Sequence, residues 1–311
     1  MEPHDRPSTP SAPSGVLPPG RELAYPDEPI FDQGLAFDLT TLMDRRRVIK
    51  LLGTAGVAAG LWSILGCSPS GILGSASPAG TTTAGSSTAS GSGAAGSEGS
   101  CDTIPEETAG PFPGDGSNGP DVLSQSGVVR SDIRSSFGSS SGVAEGVPLT
   151  IKLTIQDDTN NCAPLVGAAV YLWHCDRDGA YSLYSQGVTG ENYLRGVQEA
   201  DGSGVVTFTS IFPACYSGRW PHIHFEVYPS LAKATDQANK IATSQVALPK
   251  DICDAVYATD GYGQSLTNLA QVSLARDNVF GDDGGAHQLG RISGSVDGGL
   301  SVALAVPVKA S

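Results

Sequence analysis

His222 and His224 stand two residues apart in the stretch FPACYSGRWPHIHFEVYP (residues 212–229), in a chain that holds only five histidines. Tyr216 precedes the pair by six residues, and Arg219 lies between. Side chains alternate faces along a strand, so His222, His224, Glu226 and Tyr228 share one side and Ile223, Phe225 and Val227 share the other. The second set predicts a core-facing stripe. Two imidazoles on the first side can both reach one metal ion, which makes metal binding the leading chemistry of this segment. A zinc hydrolase using His222, His224 and Glu226 is a weaker reading, because no third ligand motif accompanies them and no CxxC supports a zinc ribbon.

The elements that would hold such a strand are legible around it. VPLTIKLTIQD alternates Leu149, Ile151, Leu153 and Ile155 against Thr150, Lys152 and Thr154, the pattern of a half-buried strand. GAAVYLWHCD (167–176) predicts a second strand, closed by the turn DRDG, and DGSGVVTFTSIF (201–212) a third. HIHFEVYP, ATSQVALP (242–249) and LSVALAVPV (300–308) follow, and only 231–240 and 251–258 read as briefly helical. Short strands with Gly-rich turns predict an all-β fold, an antiparallel β-sandwich with long loops and few short helices. His174 falls on the face opposite Tyr171 and Trp173 and reads as structural; His287 and His4 read as solvent or loop residues.

Upstream of the sandwich the composition changes. Residues 1–43 form a leader extension expected to be disordered, and a start at Met43 is an alternative. DRRRVIKLLGTAGVAAGLWSILGC (44–67) has a basic opening and an apolar run too short for a membrane span, and it resembles a twin-arginine export signal. ILGC resembles a bacterial lipobox, with Cys67 as the residue to be lipidated. Residues 68–100 are a nearly uncharged Gly/Ser-rich linker without aromatics, unable to bury a core and suited to tethering a domain. The expected location is extracytoplasmic, with membrane attachment only through the signal or lipid anchor. A net charge of −14 argues against nucleic acid as a partner.

VYLWHCDRDGAYS, DGSGVVTFTSIFPACY, RWPHIHF and TSQVALP together resemble the intradiol ring-cleavage dioxygenases, the catechol and protocatechuate 3,4-cleaving type, across roughly Thr103 to Val308. The resemblance implies a β-sandwich catalytic domain over residues 101–311 with one non-haem Fe(III). It implies Tyr181, Tyr216, His222 and His224 as metal ligands, with Tyr216 leaving the metal when a catecholic substrate binds. Arg219 matches the family's charge-stabilising arginine, and Gln245 the glutamine that positions substrate and O2. Phenolates suit Fe(III), and neutral imidazoles complete a set that leaves open positions. The implied product is a muconate-type diacid. Gly218 stands where protocatechuate-cleaving relatives often carry an aromatic, and Trp220 is expected to fill that space. IPEETAGPFPGDGSNGPDVL resembles the family's pocket-bordering stretch, in which Pro111 and Asp115 read as parts of a rigid surface loop.

With Cys67 reserved for lipid, five cysteines remain, and an oxidising compartment allows two disulfides and one free thiol. Cys175 and Cys215 shortly precede the two tyrosines that the resemblance names as ligands, so they are the expected pair, with Cys101, Cys162 and Cys253 supplying the other bridge. A homo-oligomer is compatible with the sequence. The reading opposed to the enzyme is a non-catalytic β-sandwich binding or adhesion module of a cell-surface lipoprotein, which has no use for two tyrosines converging on a histidine pair.

Overall fold

The computed structural model describes residues 101–310. The expected leader (1–43), the segment resembling an export signal with Cys67 (44–67) and the expected linker (68–100) lie outside the described residues.

Two sheets pack face to face. One contains β1 (Pro148–Asp157), β2 (Ala163–Pro164), β5 (Val205–Ile211), β8 (Arg291–Ser295) and β9 (Gly299–Val308). The other has the order β4-β3-β6-β7, from β4 (Arg195–Glu199), β3 (Ala169–Trp173), β6 (His222–Tyr228) and β7 (Ala242–Ala247). All pairs in the second sheet are antiparallel. In the first, β1 pairs antiparallel with β5 and parallel with β9. That sheet is therefore mixed, because β9 arrives at the free side of β1 by a long return connection instead of a hairpin.

The predicted alternation on β1 holds. Leu149, Ile151, Leu153 and Ile155 are all buried and meet Val206 and Phe208 of β5, Val302 of β9 and, across the sandwich, Val170, Leu172, Ile223, Phe225 and Val227. Burying each such aliphatic side chain contributes about 1.5–3 kcal/mol. The outer face of the β3–β6 sheet is also covered: Tyr171, Trp173 and Tyr228 pack with Val122, Leu123, Val128 and Tyr181. β3 is thus buried on both sides, which explains why AVYLW carries no polar alternation.

The expected helix at 231–240 is only a 3-10 turn at Gln237–Asn239. The second forms as α1 (Lys250–Tyr257), and α2 (Gly263–Leu269) follows. None of the described helices is long and apolar enough to cross a membrane.

The cysteine expectation is corrected. Cys101 bonds Cys162, whereas Cys175, Cys215 and Cys253 are buried free thiols. The Cys175 and Cys215 segments do converge, through Ala214 N–H donating to the Asp176 carbonyl at 3.1 Å. Their side chains diverge, however: Cys175 sits in the outer cluster and Cys215 in the sandwich core.

Candidate metal centre

Tyr181 is delivered by the turn after β3. Asp176 Oδ1 accepts from the amides of Asp178 (3.0 Å) and Ala180 (2.9 Å), which closes the turn, and Gly179 supplies its φ of +88°. A Cβ on Gly179 would come within 3.3 Å of Tyr216 Cβ, so glycine also lets the two tyrosine-bearing loops touch. Tyr181 is buried, and its hydroxyl makes no hydrogen bond.

Tyr216 follows β5 on a loop held by the helices. Tyr262 Oη donates to the Phe212 carbonyl (2.8 Å), Tyr257 Oη to that of Pro213 (3.0 Å), and Asn268 Nδ2 to that of Cys215 (2.8 Å). The Cys215 amide donates to Ser265 Oγ at 3.0 Å. Three side-chain donors thus satisfy the carbonyls of Phe212, Pro213 and Cys215 and hold this short irregular stretch in place.

β6 presents both histidines. As the alternation predicts, Ile223, Phe225 and Val227 enter the core while His222 and His224 point the other way. His222 Nδ1–H donates to the Trp220 carbonyl at 2.6 Å, which leaves Nε2 as a lone pair. That Nε2 lies 3.0 Å from His224 Nε2 and 3.2 Å from Tyr216 Oη. His224 stacks in parallel on Trp173, centroid to centroid 4.9 Å. The Tyr181 ring stands 6.0 Å from that of Tyr216 and 6.2 Å from that of His224. All four proposed ligands are brought together.

Electrostatics suit cation binding. Burial, reinforced by Arg219, holds both imidazoles well below the usual histidine range, so they are neutral donors. Burial pushes the Tyr216 phenol up to about 12, with Arg219 opposing, and burial likewise raises Tyr181 well above the usual tyrosine value. Without a cation both phenols are therefore protonated, and Tyr181 Oη is an orphaned buried hydroxyl. Leaving such a group unmet costs about 1–3 kcal/mol, which a metal ion at this point would relieve. Two phenol oxygens and two imidazole nitrogens are a donor set that fits Fe(III). Among the described residues, no group of three or more His, Cys, Asp or Glu side chains is placed to hold a metal ion.

Arg219 is buried beside the centre, and so is Gln245 on β7, opposite His224 in the register. Arg219 Nη2 donates to Gln245 Oε1 at 2.8 Å, and Gln245 Nε2 to the Thr108 carbonyl at 3.0 Å. Arg219 Nε also donates to Asp277 Oδ2 at 3.0 Å, an ion pair with both side chains buried. Asp277 accepts three backbone amides as well: Trp220 (2.7 Å), Val279 (2.9 Å) and Phe280 (3.2 Å). Sequence reasoning missed Asp277, which no motif flags and which sits 58 residues from its partner.

The other candidates separate from the site. Glu226 is fully buried but faces Lys240 (2.8 Å) and Tyr228 Oη (2.7 Å). Asp115 is buried and turned toward Lys240 at 3.8 Å, so it is no part of a surface loop. Trp220 does not fill the Gly218 space; it lies in the sandwich core and donates Nε1–H to the Leu248 carbonyl at 2.8 Å. His174 is structural, its Nδ1–H on the Cys175 carbonyl and its Nε2 facing Ser210 Oγ, both at 2.7 Å. His287 is exposed.

Residues 101–118 form a strap over one side of the centre. The Cys101–Cys162 bond fixes its start. Ile104 N–H donates to the Pro307 carbonyl (2.8 Å) and Glu107 N–H to that of Thr243 (2.7 Å). Farther along, a Cβ on Gly110 would meet His224 Cε1 at 3.3 Å, and the Phe112 ring packs 4.9 Å from Tyr181.

A family model described as Dioxygenase matches residues 119–258. This interval holds all six proposed site residues and leaves out the strap and Asp277. No curated protein matches the chain. Among solved structures, the intradiol ring-cleavage dioxygenase from Tetranychus urticae aligns with a TM-score of 0.54 and 23% identity, over 68% of this chain and 96% of that one. A second dioxygenase crystal structure aligns with the same values. The dioxygenase domain of a dioxygenase carbohydrate-binding protein fusion from Streptomyces sp. SirexAA-E aligns at 0.43 and 20% identity, over 68% of this chain and 100% of that one. At these identities the likeness is one of architecture: the sandwich described above is the all-β fold of the Tetranychus intradiol enzyme.

Proposed function

We propose that the protein is a non-haem Fe(III) intradiol dioxygenase that opens catechol-type rings with O2 to muconate-type diacids. One observation carries this reading: two tyrosine oxygens and two neutral imidazoles from three separate segments converge at a buried point beside an Arg–Gln pair. Tyr181, Tyr216, His222 and His224 would hold the iron, which when bound supplies the Lewis acidity that ionises phenols and readies a catecholate for O2. The chain's own residues supply the rest. Tyr216, only partly buried where Tyr181 is fully buried, is the tyrosine whose Oη, once ionised, would take up a substrate proton. Arg219, anchored from behind by Asp277, directs fixed positive charge at the site and stabilises negative charge developing on the ring. Gln245 spends its amide on the strap and its oxygen on Arg219, so it sets the arginine's position.

Export by the twin-arginine route and lipid attachment at Cys67 complete the proposal. The Cys101–Cys162 disulfide supports an oxidising, extracytoplasmic location. The test is direct. Purified protein should contain about one iron per chain, absorb visible light through tyrosinate-to-iron charge transfer, and consume O2 with a panel of catechols. Colourless, iron-free protein after reconstitution would overturn the reading in favour of a binding module.

A further inference from the structure

Arg195 on β4 is among the most buried charged side chains described, 1% exposed. All five of its N–H groups are used. Nε donates to Ser182 Oγ (3.0 Å), Nη1 to the Pro113 carbonyl (2.6 Å) and Tyr171 Oη (3.1 Å), and Nη2 to the carbonyls of Phe112 and Ser182 (both 2.9 Å). None of these five acceptors carries a charge. A buried cation without a carboxylate among its hydrogen-bond partners is a poor stabilising device. The geometry therefore calls for what only a guanidinium provides, a rigid fork of five donors.

What the fork joins is informative. Phe112 and Pro113 belong to the strap; Ser182 directly follows Tyr181. Arg195 thus ties the strap to the Tyr181 loop from beneath, while the Phe112 ring covers Tyr181 from above. Through Tyr171 it also meets the second support of the centre, since Tyr171 stacks on Trp173 (5.1 Å) and Trp173 on His224. The strap is shaped to receive it. At Gly114, with φ of +67°, a Cβ would fall 2.7 Å from Arg195 Nη1, and the Gly114 amide donates to Tyr184 Oη at 2.8 Å.

We propose that Arg195 is a positioning residue for the metal centre: it clasps the strap to the loop carrying Tyr181 and so sets where that phenol points. The iron-binding part rests on the function proposed above; the clasp itself does not.

The experiment compares wild type, Arg195→Lys and Gly114→Ala, the second pressing on the guanidinium from the strap side while keeping its charge. Two quantities are read: hydrogen exchange of residues 112–118 and 181–185 in metal-free protein, and iron retention against a chelator. Arg195→Lys should speed exchange in both segments at least about tenfold and weaken iron retention about 10- to 100-fold, the range for a group that orients a ligand. Gly114→Ala should change both in the same direction, and it decides the matter if Arg195→Lys does not fold. A lower melting temperature with neither exchange nor iron retention altered would make Arg195 merely structural and overturn the proposal. Wild type that binds no iron would sink the dioxygenase reading, leaving the exchange data to decide the clasp.

Discussion

Asp277→Asn is the substitution for which the structure supplies the fullest accounting. The carboxylate accepts from Arg219 and from three backbone amides, and nothing but donors faces it. An asparagine places its NH2 either where Oδ2 receives Trp220 N–H and Arg219 Nε–H, or where Oδ1 receives the amides of Val279 and Phe280. Either way donors confront donors, and a buried guanidinium loses its counter-charge. Breaking a buried pair from one side costs about 3–5 kcal/mol, and that is the expected loss in urea unfolding of metal-free protein at pH 7. Arg219→Met should cost less, about 1–3 kcal/mol, because the remaining carboxylate keeps its three amide donors. If Asp277→Asn lay within about 1 kcal/mol of wild type, or cost less than Arg219→Met, the reasoning about this anchor would fail. In iron-loaded protein Asp277→Asn should also lower turnover without emptying the site, since Arg219 keeps Gln245 but loses the counter-charge that anchors it.

Further expectations follow from other groups. Tyr181→Phe, His222→Ala and His224→Ala should each lose iron or colour; Tyr216→Phe should slow turnover more than it empties the site, and Arg219→Ala should keep iron while lowering turnover about 10²- to 10³-fold, with metal analysis and O2 uptake as the readout. Burial holds the His174 pKa at about 4 in the folded protein; its neutral form therefore contributes stability that is complete above about pH 6.5 and is lost as pH falls toward 4, up to about 3 kcal/mol, a loss that His174→Gln should remove from the urea-midpoint profile. Converting Cys101 and Cys162 to serine opens a connection spanning 61 residues and should cost about 4 kcal/mol on the chain-entropy account. Replacing Arg45 and Arg46 with lysine should strand the precursor in the cytoplasm, and Cys67→Ser should release the protein from membranes, both followed by cell fractionation.

What could be read in advance and what could not divides along a physical line. The strands were legible because burial of one face writes a period of two into contiguous residues, as in Leu149, Ile151, Leu153 and Ile155. The His222/His224 pair was legible for the same reason, since a strand places i and i+2 on one face whatever surrounds it. Strands without that period escaped. RGVQE of β4 mixes a buried arginine with a glycine, and RISGS of β8 is an edge strand with little to bury. Cys175 and Cys215 misled because closeness of backbones does not fix which way side chains point, and these two point into different clusters.

The support of the centre is of a different kind. Asp277 and Arg195 each act through contacts that span tens of residues: 58 from Asp277 to Arg219, and 83 from Arg195 to Phe112. A lone Asp in ARDNVF or a lone Arg in NYLRGV has no local period and no companion at fixed spacing, so nothing in its neighbourhood marks it. Yet both are charged groups taken out of water, and such burial is costly unless every donor and acceptor is met. Each meets that condition in full, Asp277 with only donors around it and Arg195 with only acceptors. That completeness makes both groups rigid reference points. One orients the arginine beside the candidate ligands and the other the loop that carries Tyr181, and neither needs to touch substrate for its loss to be felt there.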